Sequence, residues 1–461
     1  MKDSGAEWLG QMPEHWDVTK LRRLLHPVVR RGRPDLPLLS VVRDRGVIVR
    51  DISNREENRN YVPEDLSNYK VVRSGQFAMN KMKAWQGSYG ISRQDGVVSP
   101  AYFVFHLEGV EGDFFHRAVR SKAYVPYFFQ ASDGVRIGQW DLSPQRMREI
   151  PFAVPPNPEQ DAIVRFIDYV DRRIRRYIRA KRKLIKLLEE QKQAIIHQAV
   201  TGQIDVRTGK PYPAYKSSGV ERLGQVPEHW EVRRLKTLFR ESDSRSTSGT
   251  ETLLSLRMHE GLVPHEEVSD RPVQQSELVG YKRVAPGQLV MNRMRAAIGI
   301  FGVPTRHGLV SPDYAVFECD DDLELLYFLR LFKTSTMCAE FRLASKGLGT
   351  GSSGFMRLYT DQFGTIWVPF PPQNEQAAIV EFLDQATSHL NEAITRANRE
   401  IDLLNEYRTR LIADVVTGKL DVREAAASLP DESAEPEEAD DLLSEIDEGD
   451  EQDLHDDQEV N

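Results

Sequence analysis

Two short stretches carry side chains well suited to meeting another molecule: MNKMKAW (Met79 to Trp85) and MNRMRAA (Met291 to Ala297). Read as strands, they put Lys81 and Lys83 on one face and Arg293 and Arg295 on the equivalent face. Long cations on one strand face suit phosphate contact, and arginine can also read guanine edges. A solvated strand face is the alternative. Trp85, Tyr102 and Tyr314 suit stacking on sugars and bases, or core packing. ASDGVRIGQWDLS (from Ala131) and ASKGLGTGSSGFMRLYTDQF (from Ala344) read as glycine-rich loops. They present Arg136, Gln139, Lys346 and Arg357, with Arg342 just ahead of the second. Such loops either approach a groove closely or are plain surface turns. Arg93 and Arg306 complete the candidate set.

Bond-making chemistry finds no comparable constellation. The sequence has no GxxxxGK[ST] phosphate loop and no HExxH. Gly349 to Gly354 (GTGSSG) fits GxGxxG by letter, but it sits in a glycine- and serine-rich run without strand-to-helix framing and reads as a flexible loop. Pro312-Asp313 followed by Glu318 hints at a metal-dependent nuclease. The lysine such a centre needs two residues later is replaced by Asp320. No Asn-Pro-Pro-aromatic or Asp-Pro-Pro-aromatic methyltransferase motif occurs. With only Cys319 and Cys338, neither a disulfide framework nor a cysteine zinc cluster is available. The pattern points to recognition rather than catalysis, with no cofactor expected in this chain.

Charge agrees with that direction. The net charge of −9 conceals a division, because residues 424–461 hold 17 acidic residues and no lysine or arginine. Without them the chain carries 61 basic against 53 acidic residues. A moderately basic body fits a nucleic-acid partner. The acidic tail is expected to be disordered. It acts either as a solvating segment or as an internal DNA mimic competing for the basic face. The apolar runs are too short for a transmembrane helix and MKDSGAEWLG is no signal peptide, so a cytoplasmic protein is expected.

The elements that position these residues occur twice. LGQMPEHWDVTKLRRLL (from Leu9) returns as LGQVPEHWEVRRLKTLF (from Leu223), and GVVSPAYFVF (from Gly96) returns as GLVSPDYAVF (from Gly308). PPNPEQDAIVRF (from Pro155) matches PPQNEQAAIVEF (from Pro371), and TGQIDVR (from Thr201) matches TGKLDVR (from Thr417). Offsets stay between 212 and 216, far longer than the 20 to 50 residues of solenoid repeats. Each half opens with short alternating runs such as YFVFHL and YAVFEC, which predict strands of an α+β domain. Helices are expected at ELLYFLRLF (from Glu324) and over 113–129.

Each half closes with a long segment that lacks Gly and internal Pro. Apolar residues at Ile163, Val170, Ile174, Tyr177, Leu184 and Leu188 form one stripe. Ile379, Leu383, Leu390, Ile394, Ile401 and Leu404 form the other. Spacings of three, four and seven are those of a coiled-coil seam. Thr-Gly ends each helix. The first helix is rich in Arg and Lys, the second in Glu and Asp, which favours pairing with each other, and an antiparallel closure is the easier one. Trp16 and Trp230 of the PEHW motif should anchor each domain onto the helices. His15 and His229 are not read as metal ligands.

The resulting expectation is an α+β protein with two similar domains separated by two long helices paired as an antiparallel coiled coil, related by a pseudo-twofold axis. Its parts are domain 1 over 1–157, a helix over 158–202, a linker over 203–217, domain 2 over 218–373, a helix over 374–418 and the tail over 424–461.

SGVERLGQVPEHWEVRRLK (from Ser218), the paired PPNPEQ and PPQNEQ helix starts and the paired TGQIDVR and TGKLDVR ends resemble the specificity (S) subunit of type I DNA restriction-modification systems. The resemblance spans about residues 1–423. It implies two target-recognition domains, each reading one half of a split double-stranded DNA site. It also implies partners: methyltransferase (M) subunits, a pair, with S-adenosylmethionine for adenine-N6 methylation, and restriction (R) subunits driven by ATP with Mg2+. The acidic tail departs from the family pattern. Arg172, Arg175, Arg176 and Arg179 of the first helix either follow the DNA spacer by phosphate contact, dock the methyltransferase subunits, or form a solvated flank. A stand-alone two-domain DNA-binding regulator or antirestriction factor is the rival reading, and a neighbouring methyltransferase gene separates the two.

Overall fold

The computed structural model describes residues 1–43, 45–50, 63, 65–136, 139–258, 260–269, 272–320, 323–348 and 355–430. The chain divides into two units: residues 1–179 with 400–461, and residues 180–399. Most of the acidic tail, 431–461, and the GTGSSG loop lie outside the described residues. The first tail residues are folded: Arg423–Ala427 is helical and buries Ala426 against the first unit.

In the first unit a four-stranded antiparallel sheet runs in the order Leu25–Pro27, Phe103–Leu107, Phe77–Met79, Tyr89–Ile91. Alternation along the strands buries both faces. Phe77, Phe105 and Tyr89 pack against the helix Gly112–Val119 in the main core, while Ala78 and Val104 join Leu39, Val41, Val72 and Val98 in a second cluster. Asp17–Lys20 pairs with Pro151–Val154, which leads directly into the first long helix.

The second unit repeats this plan within itself. Its sheet order is Phe239–Ser242, Tyr314–Cys319, Leu289–Asn292, Phe301–Gly302. Leu289, Met291, Phe301 and Phe317 face a core with the helix Leu325–Phe332, and Val290 and Val316 face Leu254, Leu256 and Leu262. Glu231–Arg234 pairs with Trp367–Phe370. The segment expected as a linker, 203–217, is folded against this unit. Tyr212 is buried there, and Tyr215–Ser217 pairs with Gln225–Pro227.

Two helices of 44 residues, Asn157–Val200 and Gln373–Val416, contribute to both units. In the first unit the start of one meets the end of the other: Ile163 and Ile167 share a core with Leu411, Val415 and Val416. In the second unit Ile196, Ala199 and Val200 share a core with Ile379 and Leu383. Each unit therefore contains an antiparallel pair. The seam differs from the predicted stripe in detail. Ile163, Ile174, Ile379 and Leu383 are buried, and Val170, Leu188, Leu390, Ile394, Ile401 and Leu404 are partly buried. Tyr177 and Leu184 are 54% and 42% exposed and leave the seam. A straight helix drifts about 20° per heptad from a strict 3.5-residue repeat, so a stripe drawn at that period slides off the contact. The buried line in the first helix instead runs through Ile167 and Asp171. Asp171 is paired with Arg408 of the second helix. This ion pair runs with the charges opposite to the expected basic-to-acidic arrangement.

Candidate nucleic-acid interface

The repeated motifs that end each long helix form a clasp. Gly202 and Gly418 stand just past the helix ends with φ of 74° and 73°. There Gln203 N–H donates to Gln198 O (2.9 Å) and Lys419 N–H to Asp414 O (2.9 Å), a left-handed helix stop that glycine allows. A Cβ at either glycine would run into Pro227 or Pro13, which open the two PEHW motifs. Trp16 and Trp230 are buried in the same places.

The Glu and Gln of the PPNPEQ and PPQNEQ starts complete the clasp. Glu375 accepts from Trp230 Nε1 (2.9 Å) and Tyr212 OH (3.0 Å), and lies 2.8 Å from His229 Nε2 and 3.3 Å from Arg207. Glu159 lies 2.6 Å from His15 Nε2 and 3.9 Å from Arg423. Gln160 and Gln376 accept from the backbone N–H of Glu111 and Glu324, the caps of the short core helices. Both histidines are thus hydrogen-bonded to these carboxylates. Among the described residues no group of His, Cys, Asp and Glu could hold a metal.

The cation-bearing stretches are not strands beyond Asn80 and Asn292. Asn80 Oδ1 accepts from Met82 N–H (3.1 Å) and Asn292 Oδ1 from Met294 N–H (3.0 Å). An Asn side chain that satisfies a backbone donor two residues on competes with the sheet ladder and starts a turn. Lys81 and Lys83, like Arg293 and Arg295, therefore lie in a turn leading into a short 3-10 helix, not on one strand face. Lys81 pairs with Asp141 (2.5 Å), and Lys83 is exposed. Arg293 points inward, bonded to Glu241 (2.5 Å) and Thr360 (3.3 Å), and Arg295 is partly buried.

The two loops expected to approach a groove are hairpins at their bases. Ser132–Arg136 pairs with Gln139–Leu142, which sets Arg136 opposite Gln139. Lys346–Leu348 pairs with Phe355–Arg357, which sets Lys346 opposite Arg357. Arg357 donates to Asp313 (3.1 Å) and stands 5.4 Å over the Tyr359 ring. Arg342 is exposed in the last turn of the preceding helix. In each unit the turn and the hairpin meet: Leu142 N–H donates to Lys81 O (3.2 Å) and Leu358 N–H to Arg293 O (2.9 Å).

The aromatic candidates are largely structural. Tyr102 and Tyr314 pack on the second cluster of their units, and Asn80 Nδ2 donates to Tyr102 OH (3.1 Å). Burial pushes both phenols above their ordinary pKa. Trp85 forms a half-exposed cluster with Phe129 and Trp140. Arg93 is exposed near Asp113, and Arg306 is exposed on a turn. On the first long helix Arg172 and Arg176 are exposed, Arg179 is partly buried, and Arg175 pairs with Asp171 (2.9 Å).

Sequence reasoning passed over Glu159, Gln160, Glu375 and Gln376, although their recurrence in the paired helix starts was a signal. It also passed over Asp133 and Asp141, whose acidity did not suit a search for cations.

Residues 290–403 match the Type I restriction modification DNA specificity domain. Over that stretch the chain is similar to a type I restriction-modification specificity domain. The matched stretch of this family domain runs from the second sheet into the second long helix. The fold recurs in a chain from a study of complex assembly and conformational transition of the type I R-M system. That chain is 15% identical, with a TM-score of 0.62 over 89% of this chain and 100% of that one. The HsdS subunit of Thermoanaerobacter tengcongensis is 17% identical over 89% of this chain and 98% of that one, with a TM-score of 0.45. The S subunit of M. genitalium is 11% identical over 88% and 98%, with a TM-score of 0.32. No described helix is long and apolar enough to cross a membrane.

Proposed function

We propose that this chain is the DNA sequence-specificity subunit of a type I restriction-modification complex. Each unit reads one word of a bipartite double-stranded site, and the chain assembles adenine-N6 methyltransferase and restriction subunits around it. Bond-making belongs to those partners, which would bind S-adenosylmethionine, ATP and Mg2+. The observation that carries this reading is the contrast between scaffold and surface. The sheet order, the helix ends and the Gly, Pro, Trp and Glu positions of the clasp recur in both units, while the residues around turn and hairpin differ. A duplicated frame with unlike surfaces suits two unlike words better than one repeated contact.

The test is selection from a random duplex pool by the complex reconstituted with its methyltransferase subunits. Two fixed blocks separated by a spacer of fixed length and free sequence are expected. A single continuous block, or no enrichment, would overturn the reading. The purified chain alone should transfer no methyl group to DNA.

A further inference from the structure

The backbone bonds Leu142 to Lys81 and Leu358 to Arg293 fix the correspondence between the two hairpins. Asp141 and Arg357, each one residue earlier, hold the same position. Their cross-strand partners are Asp133 and Lys346. The first hairpin therefore opposes two carboxylates where the second opposes two cations. Like charges directly opposite each other destabilise a strand pair, and one frame that accepts either sign has no folding need for either.

The ground beneath the hairpins differs to match. Pro27 in the first unit and Glu241 in the second pair with Phe105 and Phe317 of the equivalent strand. In the second unit Glu241 gathers the inner cations Lys282 (3.0 Å) and Arg293 (2.5 Å) and also accepts from the Thr360 hydroxyl (2.5 Å). In the first unit the places of Glu241 and Thr360 are taken by Pro27 and Pro144, whose side chains offer no hydrogen bond. Lys81 turns instead to Asp141 at the rim of an open cleft of about 660 Å³, lined by Lys70, Lys81, Phe103, Asp133 and Asp141 among others. The carboxylates of Asp133 and Asp141 are 73% and 54% exposed, braced by Arg146 (2.5 Å) and Lys81 (2.5 Å).

We infer that the two hairpins read base edges of opposite hydrogen-bonding character. Resting on the specificity-subunit reading, the first unit would accept hydrogen bonds at Asp133 and Asp141 from an exocyclic amine, cytosine N4 or adenine N6. The second would donate from Lys346 and Arg357 to guanine O6 and N7. Phosphate is the poorer fit at the first hairpin, since the cations beside it, Lys81 and Arg146, are already engaged by Asp141 and Asp133. In the major groove, the only base-edge donors are those two amines. That groove also admits a two-stranded β-ribbon. Asp313 and the Tyr359 ring hold Arg357 in place before DNA arrives.

The experiment maps N6-methyladenine in the host genome with the gene deleted and then restored as wild type, as Asp133→Asn with Asp141→Asn, or as Lys346→Gln with Arg357→Gln. The wild-type gene should restore one bipartite motif. The acid-to-amide variant should relax one position in one word, cutting discrimination there by about 10- to 100-fold, with the other word intact. The base-to-amide variant should do the reciprocal. Uniform loss at every site with the motif unchanged, or both variants altering the same word, overturns the inference. If Asp141→Asn abolishes all methylation, Asp133→Asn alone decides, because that carboxylate contacts only surface Arg146 among the described residues. A wild-type gene that restores no bipartite motif would sink the specificity-subunit reading itself, a result distinct from either variant outcome.

Discussion

Glu375 collects donors from Trp230, Tyr212, His229 and Arg207, whereas its counterpart Glu159 has His15 and a more distant Arg423. Trp16 Nε1 finds no partner among the described residues, although Trp230 Nε1 bonds Glu375. Glu375→Gln should therefore cost more than Glu159→Gln. About 2–4 kcal/mol is expected for the former, since several donors and a neighbouring arginine lose their acceptor charge. Urea unfolding followed by tryptophan fluorescence measures the difference. Burial alone would raise the Glu375 pKa, but the hydrogen bonds from Trp230, His229 and Tyr212 outweigh it and hold the carboxyl below its ordinary value. The depressed pKa fixes the sign. The stabilisation is complete above the unfolded-state value of about 4.3 and is lost as pH falls through the lower folded-state value. The acid limb of the stability profile should flatten in Glu375→Gln; an unchanged limb would contradict this assignment. Gly202→Ala and Gly418→Ala should each destabilise by about 2 kcal/mol or more, from backbone strain plus the clash with Pro227 or Pro13. Thermal melts of the two variants test this. The sequence made the glycines, prolines and tryptophans of the clasp visible as repeats. It did not show that Glu159 and Glu375 would be their acceptors, because an acidic residue in a helix's first turn already has a local electrostatic reason to be there.

Secondary structure was legible where side-chain period decides it and illegible where a single polar group does. The alternation in YFVFHL and YAVFEC marks strands that are strands. The long Gly-free segments are helices, and Thr-Gly ends both. The turn after Asn80 and Asn292 depends on one side-chain bond to the backbone, so the alternating cations beyond it read wrongly as a strand face. The hairpin bases at Ser132 and Lys346 were hidden by their glycines. The arginines of the first long helix belong to this scale. If they meet DNA, replacing Arg172, Arg175, Arg176 and Arg179 with Gln should weaken binding to all duplexes alike. The slope of log K against log salt should then become shallower by up to about 0.9 for each phosphate the variant no longer neutralises. Fluorescence anisotropy over a salt series reads this directly. Weakening confined to the cognate site would contradict a phosphate role.

At the scale of the whole chain, the duplication predicts both the fold class and the repeated unit plan. Asn157–Val200 and Gln373–Val416 each contribute to both units, so on the proposed reading the chain that joins the two word-reading units runs through these helices. The unread spacer should then depend on helix length. Inserting one heptad into each helix adds about 10 Å, or roughly three base pairs at the ~3.4 Å per base-pair spacing of duplex DNA. Methylated motifs in cells carrying that variant should show a lengthened spacer with both words unchanged; an unaltered spacer would discard the helices as a ruler. On the proposed reading the words themselves were not legible, because DNA bases, and not the packing of the chain, would select the side chains that read them. The central claim is tested most directly by single-molecule mapping of N6-methyladenine across the host genome with and without this gene. Loss of one split motif on deletion, and its return on complementation, is the predicted result. A methylome identical in the two strains, with the methyltransferase partner expressed, would contradict it.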